Sequence, residues 1–158
     1  MSNVSTIKKN IERLIARKVS EDFEKVAKDL IKYFYASYSP SVYTRTWGYE
    51  EGVLISRIKG AKTGGVNIDN AVPSHKEASG EMVFDLIWNQ GIRGLPATGK
   101  NGWVNPHFMT TSYSIPEFGI GGSSPDEVMM ALIDQWPVVR EGEIDGIISK
   151  ELDKLELF

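Results

Sequence analysis

Apolar residues recur every three or four positions over the first 34 residues, the spacing of one buried face of an α-helix. An unbroken helix from about Ser5 to Tyr38 would be roughly 50 Å long, far longer than the average globular helix. A break at Ser20 is the alternative, because Ser is a good N-cap residue and the acids Glu21 and Asp22 that follow it suit a first helical turn. The apolar positions are Val4, Ile7, Ile11, Leu14, Ile15, Val19, Phe23, Val26, Leu30, Ile31 and Phe34.

An aromatic junction, residues 33–49 (YFYASYSPSVYTRTWGY), ends the helical pattern. Pro40 cannot continue a helix and biases Ser39 towards an extended backbone. A stacking platform for single-stranded nucleic acid would also need a cationic track, and the only bases available are Arg45 in the junction and Lys32 immediately before it. Packing in a core or an interface is therefore the better interpretation of these aromatic side chains.

Short strand patterns and Gly-rich loops follow the junction. Residues 53–58 (VLISRI) predict a strand, and the loop 60–65 predicts a hairpin into residues 66–68. Residues 82–88 (MVFDLIW) form the strongest strand pattern, and the Gly- and Pro-containing residues 89–107 predict a long loop. One further strand is predicted over residues 108–115, followed by a flexible Gly-rich joint over residues 119–123.

Two helices are predicted at the C-terminus. The first begins at Ser124 as N-cap, with Pro125 at the first helical position and Glu127 at the third, and Pro137 is expected to end it after Trp136. The second is expected from about residue 143 to residue 155. Its predicted buried face consists of Ile144, Ile147, Ile148, Leu152 and Leu155.

These elements predict an α+β fold with a long N-terminal helix, a small mostly antiparallel sheet and two short C-terminal helices. At 158 residues the chain is expected to be a single domain, divided into the N-terminal helix (1–38), the sheet and loops (39–118) and a helical C-terminal extension (119–158). No apolar stretch has the length of a membrane span, and no secretory signal is expected from the N-terminal residues. The absence of cysteine excludes disulfides and thiolate chemistry.

Charge is unevenly distributed along the chain, although the net charge is only -3. Residues 1–36 carry eight Lys/Arg against five Asp/Glu, whereas residues 112–158 carry three against ten. Such polarity would align identical subunits head to tail, the basic part of one meeting the acidic part of the next. Solvated helix faces with a chance imbalance are the more ordinary interpretation.

The search for catalytic chemistry gives one weak candidate. Residues 94–101 match the GxxxxGK pattern of a phosphate-binding loop, but Asn101 replaces the hydroxyl residue and no helix is expected to follow. His107 could act as the general base of a small metal-independent nuclease, with Arg93 and Lys100 stabilising phosphate charge. A loop histidine with a structural hydrogen bond is the more ordinary interpretation. No catalytic residue, metal ligand or cofactor is expected.

Several short motifs follow one another in order over roughly residues 5–110. They are a long N-terminal helix, then Tyr38-x-Pro40-x-x-Tyr43-x-Arg45-Thr46, a strand led by Gly52, the segment Trp88-Asn89-Gln90-Gly91-Ile92-Arg93-Gly94, and Asn105-Pro106-His107-Phe108. In this order they resemble the head-tail joining or tail-completion (neck) proteins of long-tailed bacteriophages. Residues 111–158, with their two helices, extend beyond the family pattern.

The resemblance implies a structural virion protein that joins the capsid connector to the tail tube as an oligomeric ring, assembled in the host cytoplasm. Its implied partners are copies of itself, the connector or adaptor, and tail-tube or tail-terminator proteins. It implies neither a membrane nor specific nucleic-acid binding, although the genome would pass through the ring. Tyr38, Pro40, Tyr43 and Arg45 would form the corner between helix and sheet, and Gly91, Arg93 and Gly94 a loop near a ring interface. An adaptor module that docks a partner through the aromatic junction is a third hypothesis.

Overall fold

The fold is α+β, as the sequence predicts, and its described residues are mostly helical. A computed structural model describes residues 3–36, 53–58, 64–71, 79–89, 92–93, 109–110 and 112–155. A long N-terminal helix, short antiparallel strand pairs and two C-terminal helices pack together in these ranges. The strands form three separate two-stranded sheets in the described residues.

Helix α1 runs without interruption over Val4–Ala36, so the continuous form of the predicted helix is the correct one. The Asn3 side chain caps its start by accepting a hydrogen bond from the Thr6 amide at 2.8 Å. Ser20 does not begin a second helix. Its hydroxyl donates to the Ala16 carbonyl at 2.9 Å, one turn back, which lets a potential cap residue lie inside the helix.

The first hairpin is confirmed. Strand β1 (Val53–Arg57) pairs antiparallel with β2 (Val66–Asn70), and Ile55 lies opposite Ile68. The Ser20 hydroxyl accepts a hydrogen bond from the Gly65 amide at 2.9 Å. The hairpin is thereby held directly against the middle of α1.

The strand predicted over residues 82–88 is wrong. Helix α2 (Gly80–Phe84) and a π-helix (Asp85–Asn89) occupy this segment. The Ser79 hydroxyl accepts from the Met82 amide at 3.2 Å and caps α2, and Asn89 donates to the Asp85 carboxylate at 2.9 Å, four residues back. These local bonds favour a helix, while Trp88 still reaches the core with 4% of its surface exposed.

The predictions for residues 89–123 need three corrections. Ile92–Arg93 forms a short strand, β3, inside the predicted loop, and it pairs with β4 (Met109–Thr110). The single strand predicted over residues 108–115 is two strands, β4 and β5 (Tyr113–Ile115). The predicted flexible joint contains strand β6 (Ile120–Gly122), which pairs with β5 after a one-turn 3-10 helix (Pro116–Phe118).

Helix α3 (Pro125–Val139) begins as predicted, because the Ser124 hydroxyl accepts from the Glu127 amide at 3.1 Å. Pro137 does not end it. Proline removes a single backbone donor, and the helix continues to Val139, where the Arg140 amide donates to the Trp136 carbonyl at 2.9 Å.

Helix α4 (Glu141–Leu152) begins two residues earlier and ends three residues earlier than predicted. Ile144, Ile147 and Ile148 are half-buried on its inner face. Leu152 was predicted to be buried but is 46% exposed, while the neighbouring Glu151 is buried. The side chain of Glu151 is held there by the Asn10 amide, at 3.3 Å, and by Lys154.

One core joins the second half of α1 to α3, the π-helix and the β5–β6 pair. Leu30, Val128 and Leu132 are fully buried at its centre. Its remaining members are Val26, Ala27, Ile31, Trp88, Tyr113, Phe118, Ile120, Met129 and Trp136. No helix in the described ranges has both the length and the apolar character needed to cross a membrane.

Candidate interaction surface

Most residues that the sequence singles out lie outside the described residues: Tyr38, Pro40, Tyr43, Arg45, Gly91, Gly94, Lys100 and His107. Arg93 belongs to β3, where its backbone pairs with Met109. Tyr33 is the one aromatic of the junction whose side chain is described, and its ring lies 5.6 Å from that of Tyr113. The corner and the ring loop, like the nuclease and adaptor hypotheses, stay predictions.

A guanidinium hub at Arg140 joins three parts of the chain. Its Nε donates to Asp22 of α1 at 2.9 Å, its Nη1 donates to Glu143 of α4 at 3.1 Å, and Nη2 donates to Glu117 in the 3-10 helix. The guanidinium carbon also lies 4.9 Å from the centre of the Phe118 ring. These contacts hold the connection between α3 and α4 against α1.

Asp22 is the buried partner of this hub, with 8% of its side chain exposed. It also accepts from the Trp136 indole at 2.9 Å and lies 3.3 Å from the Lys18 amine. Burial alone would raise the pKa of its carboxyl. The Arg140 and Trp136 hydrogen bonds and the charges of Arg140 and Lys18 outweigh burial and hold the pKa below the ordinary value of 3.8. Asp22 and Arg140 therefore face each other as a charged pair near neutral pH.

Helix α3 runs antiparallel to the second half of α1. Its C-terminal end lies at Asp22, through Trp136 and Arg140. Its N-terminal end follows β6, which pairs with Tyr113, and the Tyr113 ring contacts Tyr33. The path along α1 from residue 22 to residue 33 is about 16 Å, close to the length of α3 from residue 124 to residue 136.

Helix α4 continues along the first half of α1, again antiparallel. Glu143 lies 3.5 Å from Lys18, and Glu151 accepts from Asn10 at 3.3 Å. Helices α3 and α4 therefore lie end to end along α1. The N-terminal tip of α1 and the outer face of α3 lie towards opposite ends of the molecule.

An apolar ridge, defined as Met130, Ile133 and Pro137, lies on the outer face of α3. These residues are three or four positions apart and share one stripe of the helix, away from the buried Val128, Leu132 and Trp136. Met130 is 58% exposed and Ile133 is 52% exposed. A helix with apolar residues on two faces ordinarily buries both of them, so the ridge is a candidate contact surface.

Two acidic residues flank this ridge. Asp126 lies one turn before Met130 and Asp134 one turn after it, and both are exposed. Neither has an ion-pair partner among the described residues. The surface therefore combines an apolar centre with uncompensated negative charge.

The described surface is divided by charge, as the sequence indicates. On α1 the exposed charged residues are Lys8, Lys9, Arg13, Arg17, Lys25, Lys28, Lys32 and a single acid, Asp29. On α3 and α4 they are Asp126, Glu127, Asp134, Glu141, Glu143, Asp145 and a single base, Lys150. The imbalance is thus a property of the folded surface and not only of the sequence.

Sequence reasoning missed both the hub and the ridge. Arg140 and Asp22 are 118 positions apart, and nothing in their sequence context marks them as partners. The ridge did leave a signal, since placing residues 125–139 on a helical wheel puts Met130, Ile133 and Pro137 on a second apolar stripe, beside the one that is buried.

In the described residues, no three His, Asp or Glu side chains are arranged to hold a metal ion. The acids around Arg140 instead surround a guanidinium. Comparisons with protein-family models, with curated proteins and with solved structures find no match for this chain.

Proposed function

We propose that this chain is a non-enzymatic structural subunit of the neck of a long-tailed bacteriophage, where copies of it form a ring between the capsid connector and the tail tube. Its partners are copies of itself, the connector or adaptor, and tail-tube or tail-terminator proteins. The genome passes through the ring without sequence-specific contacts.

The apolar ridge of α3 carries the proposal. Met130 and Ile133 are more than half exposed although the same helix has a complete buried face. Exposed apolar surface rimmed by polar residues is typical of a protein that completes its burial against other subunits. The basic face of α1 and the acidic α3–α4 surface support repeated contacts between identical copies.

The resemblance to neck proteins, over roughly residues 5–110 of this chain, is the reason for proposing the neck as the site of assembly. It includes a long N-terminal helix followed by a strand, and in the fold helix α1 is followed by the first hairpin. In this proposal the α3–α4 segment, which extends beyond the family pattern, supplies additional surface for neighbouring subunits.

Virions provide the direct test. Gradient-purified particles from a phage whose genome encodes this chain are expected to contain it in a fixed multiple of copies, measured by quantitative mass spectrometry against the connector protein. Immunogold labelling is expected to mark the neck in electron micrographs. A particle preparation with complete tails that lacks the protein would overturn the proposal.

A deletion gives an independent readout. Phage that lack the gene are expected to produce filled heads and separate tails that fail to join. Addition of purified protein to the mixed extract is expected to restore infectious particles. Normal joined particles from the deletion strain would contradict the assignment.

A further inference from the structure

We infer that the apolar ridge of α3 binds the N-terminal tip of helix α1 from a second copy of this chain. The tip is defined as Val4, Lys8 and Lys9. The contact joins an apolar residue among bases to an apolar ridge among acids. This inference rests on the proposed function, since it identifies which surfaces meet in the assembly.

The tip has the chemistry that the ridge requires. Val4 is 73% exposed, and Lys8 lies one turn later on the same side of α1. Lys9 is adjacent and exposed, and neither lysine has an ion-pair partner among the described residues. The first turn of a helix also carries partial positive charge from its free amides, which favours acidic neighbours.

Charge complementarity selects this partner over other occupants. Asp126 and Asp134 lie one turn on either side of Met130, so an incoming apolar residue is flanked by two carboxylates separated by about 12 Å along α3. Lys8 and Lys9 can reach acids on both sides of a Val4 anchored at the ridge. A basic partner is preferred, because an acidic or neutral one would leave these carboxylates uncompensated.

The two surfaces cannot meet within one molecule. Trp136 and Arg140 hold the C-terminal end of α3 at Asp22, and α3 extends from there towards the C-terminal end of α1. Met130 is therefore near the level of residue 27 of α1, about 35 Å along the helix from Val4. The tip must come from another copy.

The resulting contact is head to tail. Each copy offers one tip and one ridge, at opposite ends of the molecule, so every subunit contacts two neighbours through different surfaces. Contacts of this type produce a ring when the rotation between copies closes and a filament when it does not. A ring is the closed outcome that the proposed function requires.

Charge reversal on the purified full-length chain tests the contact. Sedimentation velocity of the unmodified protein is expected to show assemblies that dissociate as salt is raised. The acceptor variant Asp126→Lys/Asp134→Lys and the tip variant Lys8→Asp/Lys9→Asp are each expected to raise the dissociation constant at least about tenfold, because like charges then meet. An equimolar mixture of the two variants is expected to associate, because both contacts between unlike variants pair opposite charges: reversed tip with reversed ridge, and unmodified tip with unmodified ridge.

A matched control uses acids elsewhere. Glu141→Lys/Asp145→Lys makes the same change in charge on the exposed side of α4, at residues without ion-pair partners in the described chain. It is expected to change the dissociation constant less than about threefold, since only the long-range field is altered. Circular dichroism of each variant is the control that checks whether it remains folded.

Three outcomes would overturn the contact: an unmodified protein that stays monomeric at roughly 100 μM and low salt, acceptor reversal with no effect on association, or reversed variants that fail to associate when mixed. If acceptor reversal has no effect, another part of this chain or a different partner covers the ridge.

These outcomes are separate from the virion test. If the protein is found in the neck but its association does not depend on these charges, the proposed function stands and this contact is rejected. If the protein associates by this contact but is absent from virions, the contact stands and the proposed function is rejected.

Discussion

Arg140 and Asp22 show how a structural role can be invisible in a sequence. Acids at positions 21 and 22 suit the first turn of a helix, and that local interpretation is reasonable. In the fold, Asp22 is instead buried inside an uninterrupted helix and bonded to Trp136 and Arg140 from the far end of the chain. Only the packing of α3 on α1 decides whether Asp22 is a first-turn acid or a buried ion-pair partner. The pattern of apolar and polar residues contains no information about which helices pack together.

We expect Arg140→Met to lower the free energy of unfolding by about 3 kcal/mol at pH 7, since among the described residues the change leaves the buried Asp22 carboxylate with Lys18 as its only cation. Urea unfolding measures the loss. The folded-state pKa of Asp22 lies below its unfolded value, so the stability from its charge is present above the unfolded pKa and is lost as the pH falls through the folded pKa. The difference between Arg140→Met and the unmodified protein should therefore shrink as the pH falls below 3.8, the ordinary pKa of this carboxyl.

Arg17→Ala is the matched control. Arg17 also pairs with an acid of α1, Glu21 at 3.1 Å, but 67% of its side chain is exposed. Its removal is expected to cost no more than about 0.5 kcal/mol. Equal losses in the two variants, or a loss in Arg140→Met that does not depend on pH, would contradict the account of the hub.

Elements with strong local signals were the predictable ones. Ser124, Pro125 and Glu127 supply a cap that needs no distant partner, and helix α3 begins where they indicate. Residues 82–88 carry a β-like composition, yet the Ser79 cap and the tertiary burial of Trp88 favour a helix. Strand β5 lies inside the strand predicted over residues 108–115, but β6 and its pairing with β5 were missed, because a three-residue strand is too short for an alternating pattern.

Gly64 is the residue on which the contact between hairpin and helix depends. Its φ is +71°, and a Cβ there would lie 2.2 Å from the Ala16 carbonyl oxygen, a backbone atom that cannot move aside. We expect Gly64→Ala to destabilise the protein by at least about 2 kcal/mol, from the left-handed conformation and from separation of the hairpin from α1. The shift in the urea midpoint measures this loss.

Gly146→Ala is the same chemical change, but it is expected to raise the stability of the protein. Gly146 lies inside helix α4, and a Cβ there would meet no atom within 4 Å. The substitution is expected to stabilise the protein by about 1 kcal/mol, because alanine is the better helix former. A neutral result at Gly64 would mean that the hairpin does not approach Ala16 as described.

At the scale of the whole molecule, α1 packs against two different helices, α3 along its second half and α4 along its first half. Its second half belongs to the main core with α3, where Leu30, Val128 and Leu132 are fully buried. Its first half faces α4, whose inner isoleucines are only half-buried. The sequence predicted the helical pattern over this length, with a break at Ser20 left open, and it showed the imbalance of charge along the chain. The antiparallel return of α3 and α4, which places the tip and the ridge at opposite ends, follows only from side-chain contacts far apart in sequence.

This division predicts unequal resistance to local opening. Separation of α4 from the first half of α1 exposes less apolar surface than separation of α3 from the second half, so it requires less free energy. Native-state hydrogen exchange is expected to be at least about tenfold faster in residues 7–14 and 147–151 than in residues 26–31 and 128–132, at a concentration where the protein is monomeric. Asn10→Ala, which removes the side-chain bond to Glu151, should accelerate exchange in the first pair of segments and leave the second pair unchanged. Uniform protection over all four segments would show instead that the two halves open together, as one cooperative unit.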